Sequence, residues 1–132
     1  MIDQYENKQD VIPSYKASGE KVYFIQYGVY SSVKSMEDNT INLTKYIYMF
    51  KNDLYYVFIG ITKDNKNLDK LKGYFDNIGY STYVKEFEIK DFSFLDTLTN
   101  YDLLLEQTND QSSIKEIQTK ILEIYEDVKE WI

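Results

Sequence analysis

The feature that most constrains this 132-residue chain is an internal repeat at an offset of 32. Tyr23-Phe24-Ile25-Gln26-Tyr27-Gly28 aligns with Tyr55-Tyr56-Val57-Phe58-Ile59-Gly60, and further on Lys34 meets Lys66, Met36 meets Leu68 and Leu43 meets Phe75. Each copy reads strand, glycine, polar turn, amphipathic helix, strand. The β-branched and aromatic run over 22–30 predicts a first strand. A helix follows over 33–43, with Ser32 as its cap and Met36, Thr40 and Leu43 on its apolar side. Strands are expected over 45–50 and 55–61, joined by a turn at Asn52-Asp53. Leu68, Leu71, Phe75 and Ile78 recur at spacings of 3, 4 and 3, which predicts a helix over 66–78 stopped by Gly79. The last strand is expected over 80–89. This β-α-β-β-α-β order is a split duplication. The expected fold class is α+β: a ferredoxin-like four-stranded antiparallel sheet with two helices on one face, plus a C-terminal helical extension.

Charge divides the chain at the same places. Residues 1–20 hold 2 Lys against 4 acids, residues 21–90 hold 10 Lys against 8, and residues 91–132 hold 3 Lys against 10. So sharp an asymmetry marks a boundary near residue 90. The first segment is polar, contains Pro13 and Gly19 and lacks an apolar period, so 1–20 reads as a linker. A linker implies something in front of it.

The acidic tail, 91–132, reads as a helical hairpin. Phe94, Leu98, Tyr101 and Leu105 form one stripe, with Asp91 or Ser93 as cap, and Asn109-Asp110 breaks the chain. Ser113 with Glu116 has the spacing of a capping box. Ile114, Ile117, Ile121, Ile124, Val128 and Trp131 then follow a heptad seam. Too short to stand alone, that helix is expected to pack on the first tail helix. Leu104, Leu122 and Tyr125 then form an outer apolar edge, which rests on the sheet domain or on a second copy of the chain.

What is missing narrows the chemistry. There is no Cys, His or Arg, so there is no thiolate, no imidazole base, no Ser-His-Asp triad and no bidentate phosphate fork. A net charge of −7 disfavours nucleic acid as a partner. No run reaches the roughly 20 apolar residues of a membrane span. Glu86 and Glu88 alternate on the last strand without a second element that needs them. No catalytic residue, metal or cofactor is expected, and the chain reads as a binding module rather than an enzyme.

Gln26-Tyr27-Gly28-Val29-Tyr30 resembles the Gln-x-Gly-x-aromatic signature that opens a SPOR domain, the sporulation-related repeat, and Val57-Phe58-Ile59-Gly60 resembles the hydrophobic-x-hydrophobic-Gly of its second half. The resemblance covers 21–90, and the acidic tail lies beyond it. It implies a module that binds peptidoglycan glycan strands stripped of their peptides. Such a module works at a division or sporulation septum of the bacterial cell envelope. It would be extracytoplasmic if a membrane anchor precedes this segment, and cytoplasmic otherwise.

Strand alternation sorts the side chains. If Ile25, Ile47, Met49, Val57, Ile59, Thr82 and Val84 face the two helices, the other face holds Phe24, Gln26, Tyr46, Tyr48, Phe50, Tyr56, Phe58, Tyr83 and Lys85. So aromatic a face needs a purpose. In one reading Gln26, Phe24, Tyr48, Tyr56, Phe58 and Tyr83 bind glycan, rings stacking on sugar C–H faces and the Gln26 amide meeting hydroxyl or N-acetyl groups. In the other the face is core beneath the tail helices, and the chain is a protein-interaction or scaffold module, or self-associates through those helices.

Overall fold

A computed structural model describes residues 19–128, which leaves almost all of the expected 1–20 linker, and Trp131, outside the described residues. The elements are β1 (Glu20–Tyr30), α1 (Val33–Asn39), β2 (Ile47–Lys51), β3 (Leu54–Thr62), α2 (Asn65–Asn77), β4 (Tyr83–Ile89), α3 (Phe92–Glu106) and α4 (Gln111–Val128). The strands form one antiparallel sheet in the order β2-β3-β1-β4. β1 and β3, the equivalent strands of the repeat, are therefore the central neighbours. Gln26 pairs with Phe58, its own counterpart 32 residues on. An antiparallel duplication pairs a residue with its equivalent only on its local two-fold axis, so the axis of the repeat passes through this pair.

Local chemistry sets the element ends. The Ser35 N–H donates to Ser32 Oγ at 3.0 Å and caps α1. α1 stops sooner than expected: Thr40, at φ −114°, leaves the helical conformation as the C-cap with its N–H donating to the Glu37 carbonyl, which leaves Leu43 in a loop. Gly79, at φ +91°, ends α2 as expected, its N–H donating to the Asp76 carbonyl. Asn52 and Asp53, at φ 54° and 63°, make a tight two-residue hairpin turn.

That turn overturns one expectation. A two-residue turn forces Lys51 opposite Leu54, and hence Met49 opposite Tyr56 and Ile47 opposite Phe58. Directly opposed residues share a face. Ile47 and Met49 therefore belong with Phe24 and Phe58, not with Ile25 and Ile59. Tyr48 and Phe50 point the other way and are exposed.

Both faces of the sheet are covered. On one, α2 places Leu71 and Phe75 against Ile25 and Ile59. On the other, α3 and α4 place Phe94, Leu95, Leu98, Ile121, Leu122 and Tyr125 over Val22, Phe24, Ile47, Met49, Phe58 and Ile89. Tyr125 is wholly buried, with its ring centroid 5.2 Å from Phe24 and 4.9 Å from Phe94, both edge-on. The hairpin is thus part of this fold, and its contact face differs from the seam. Leu122 and Tyr125 are core, while Ile117, Ile124 and Val128 are only partly buried and Leu104 is exposed. The cap of α4 differs too. Asp110, not Ser113, caps it, with the Ser113 N–H and hydroxyl both donating to Asp110 Oδ2 at 2.9 Å.

Polar contacts lock the hairpin in place. β2 pairs β3 only as far as Phe58. Beyond it the Ile61 N–H donates to Gln118 Oε1 at 2.8 Å, and the Lys63 N–H to Asp102 Oδ2 at 3.1 Å. Side chains of α4 and α3 thereby satisfy the edge of β3 that β2 no longer covers, opposite the edge paired with β1. Lys70 on α2 donates to the carbonyls of Leu105, Glu106 and Thr108 at the C-terminus of α3, where a cation is favoured. Lys45 pairs with Glu126 at 2.6 Å.

Candidate functional site

The six residues expected to meet a ligand do not converge. Phe24 and Phe58 are fully buried, 5.5 Å apart centroid to centroid, and the hairpin closes the face they occupy, so no ligand reaches them. Tyr56 is half-buried against the same cluster. Tyr48 lies on the opposite face, where its ring tilts against Tyr55, which in turn meets Phe50 at 4.7 Å. Only Gln26 and Tyr83 remain together, as direct partners across β1 and β4.

This pair carries an unbalanced polar group. Gln26 is 6% exposed, and its Oε1 has no hydrogen-bond partner. An unsatisfied buried acceptor costs about 1–3 kcal/mol. Its neighbour Tyr83 is 71% exposed. The sheet thus holds a hungry amide beside an accessible ring, at an irregular step of β1 between Ile25 and Gly28. A Cβ at Gly28, in that step, would meet the end of the Tyr30 side chain, whose hydroxyl folds back over it. The Tyr30 pKa is raised, first by burial and then by Tyr27.

A second constellation escaped the sequence. Thr62, Lys63, Asn67 and Asp102 form a buried network in which the Thr62 hydroxyl donates to Asp102 Oδ1 at 2.5 Å and Asn67 Nδ2 donates to the same oxygen at 3.1 Å. Burial pushes the Asp102 carboxyl up, against the lowering effect of these donors. Both its oxygens are occupied by structural partners, so it ties α3 to β3 and α2. Among the described residues no group of three or more Asp or Glu could hold a metal, and no helix is long and apolar enough to cross a membrane.

A third feature is a cleft of about 310 Å³ between the loop over 42–45, the end of α2 and α4. Lys45, Tyr74, Tyr80, Lys115 and Gln118 line it, with Ile59 and Phe75 on its apolar side. The sequence did not single out this cleft, because Lys115, Gln118, Thr119 and Leu122 of α4 complete its wall.

No protein-family model matches the chain, and no curated protein matches it. Among solved structures it is similar to the solution structure of the peptidoglycan binding domain of the B. subtilis cell wall lytic enzyme CwlC. The two share 26% identity and a TM-score of 0.44, over 57% of this chain and 100% of that one.

Proposed function

We propose that this chain is a non-catalytic, SPOR-like module that binds peptidoglycan glycan strands at the bacterial cell envelope, at a division or sporulation septum. The observation that carries the reading is Gln26. It stands in the Gln-x-Gly-x-aromatic segment, on the axis of the duplicated sheet, with a buried amide oxygen that no protein group satisfies. Gln26 shares the hairpin-covered face with Phe58, so a sugar hydroxyl or N-acetyl N–H supplies the missing donor from the β4 side, where the exposed Tyr83 ring offers a platform for a sugar C–H face. Tyr56 flanks this strip, whereas Tyr48 would need a separate contact on the other face.

The test is co-sedimentation with sacculi, either intact or stripped of peptides by an amidase. The stripped sacculi should retain more protein. Tyr83→Ala, an exposed change, should weaken retention at unchanged melting temperature. Gln26→Leu, which keeps the volume and removes the orphan acceptor, should abolish retention without loss of stability. Equal retention of both variants and wild type would sink the reading.

A second reading has its own support. The hairpin fills the sheet face and is bonded to the domain at Ile61, Lys63 and Lys70. A covered face of this kind suits a protein-interaction or scaffold module, and the absence of any sacculus binding would favour it.

A further inference from the structure

The cleft at the junction of α2 and α4 holds a second unbalanced amide. Gln118 is 3% exposed. Its orientation is fixed, because Oε1 accepts the Ile61 N–H at 2.8 Å and a flipped amide would set donor against donor. Nε2 is left with no partner. The wall therefore presents a buried donor that asks for an acceptor.

The surroundings define that acceptor further. Although the chain carries a net charge of −7, no Asp or Glu lines the cleft. Its two charged lining residues are Lys45, paired with Glu126, and Lys115, exposed and without an ion pair among the described residues. Tyr80 stacks on Phe75 at an interplanar angle of 20° and gives a ring wall. The Tyr74 pKa is raised by burial and then by Tyr80, so its hydroxyl stays a donor. The volume suits a ligand of monosaccharide size. Donor, cation and ring together select an acceptor-rich anion with an apolar face.

We propose that this cleft binds an N-acylated sugar acid, with the acyl carbonyl on Gln118 Nε2, the carboxylate at Lys115 and the C–H face of the ring on Tyr80. The choice of a sugar among acylated carboxylates rests on the peptidoglycan reading, since a glycan strand freed of its peptides exposes the carboxylate of N-acetylmuramic acid. The cleft shares no residue with the Gln26–Tyr83 strip and is a distinct subsite, built jointly by the repeat and the hairpin.

The experiment is an NMR titration of the full chain with N-acetylmuramic acid, N-acetylglucosamine and N-acetylalanine. N-acetylmuramic acid should shift the Gln118 side-chain amide, Thr119 and Tyr80, and Lys115→Glu should reduce those shifts without changing any at Tyr83. Lys115→Glu, on the surface, should weaken it by roughly tenfold, the loss of one charge-assisted contact. Gln118→Glu, which keeps an acceptor for Ile61, should also weaken it. N-acetylglucosamine, lacking the carboxylate, should bind more weakly and be indifferent to Lys115→Glu. An absence of shifts in the cleft, or N-acetylalanine binding as tightly as the sugar acid, would overturn the assignment. Sacculus retention separates the two ideas. If sacculi hold the protein but the sugar misses the cleft, the subsite falls and the peptidoglycan reading stands. If the sugar fills the cleft but sacculi hold nothing, the reverse follows.

Discussion

Tyr125→Ala is the sharpest test of the claim that the C-terminal hairpin belongs to the fold. Tyr125 flanks the heptad seam of α4, four residues after Ile121, and is wholly buried between Phe24 and Phe94. Truncating a buried aromatic side chain typically costs about 3–5 kcal/mol, the transfer free energy plus the cavity left behind. Phe24 and Phe58 are held from below by the strands, so the cavity has little scope to collapse. Against a total stability of about 5–15 kcal/mol the loss is large. For a domain of this size it corresponds to a fall in melting temperature of roughly 10–20 °C. Urea unfolding followed by circular dichroism should show a lower midpoint at an unchanged slope. Leu104→Ala, at a position 53% exposed, is the control and should move the midpoint by no more than about 0.5 kcal/mol equivalent. Two separate transitions, or a Tyr125→Ala protein as stable as the control, would refute an integral hairpin.

Two further outcomes follow from local geometry. Asp53→Gly should stabilise the protein by up to about 1 kcal/mol, because it converts the left-handed Asn52-Asp53 pair into the favoured Asn-Gly turn; thermal melting reads the shift, and destabilisation would contradict the backbone angles. Asp102 has a folded pKa raised above the ordinary 3.8, with burial as the leading cause, so the folded state holds its proton to higher pH than the unfolded state does. Its contribution to stability is therefore fully present below that ordinary value and is lost as pH rises through the folded pKa. The stability difference between wild type and Asp102→Asn should fall across that window; a rise would mean that the donors Thr62, Lys63 and Asn67 outweigh burial.

The repeat was legible because it obeys rules that need no tertiary context. Periods of two and of three to four residues placed Ile25, Ile59, Leu71 and Phe75 correctly on one core. The offset of 32 placed β1 beside β3 before any geometry was known. The parity of β2 was misassigned although the sequence contained it. A two-residue turn at Asn52-Asp53 makes opposed positions sum to an odd number, which sets Ile47 against Phe58 rather than against Val57 or Ile59. Counting through the turn would have moved Ile47 and Met49 to the aromatic face. That face would then have read as a mixed aliphatic and aromatic core, which favours the second of its two readings, core beneath the tail helices.

α4 was harder to read for a physical reason. A heptad seam describes a helix that meets one other helix, but α4 meets three surfaces: α3, the sheet face, and the edge of β3 beyond the end of β2. Three partners shift the buried arc to one side of the seam, where it takes in Gln118, Leu122 and Tyr125. The apolar pattern alone cannot say that Leu122 and Tyr125 go deepest, nor that Gln118, a polar residue between Ile117 and Thr119, is the one that satisfies β3. The same circumstance explains why the cleft was invisible. On a helical wheel Gln118 is a polar residue among Ile114, Ile121, Leu122 and Tyr125, but it becomes a half-satisfied amide only when strand, repeat helix and tail helix converge on it. The two residues that most invite a ligand, Gln26 and Gln118, are thus alike in kind but unequal in legibility. Gln26 betrays itself as an amide inside a strand, whereas Gln118 needs the fold.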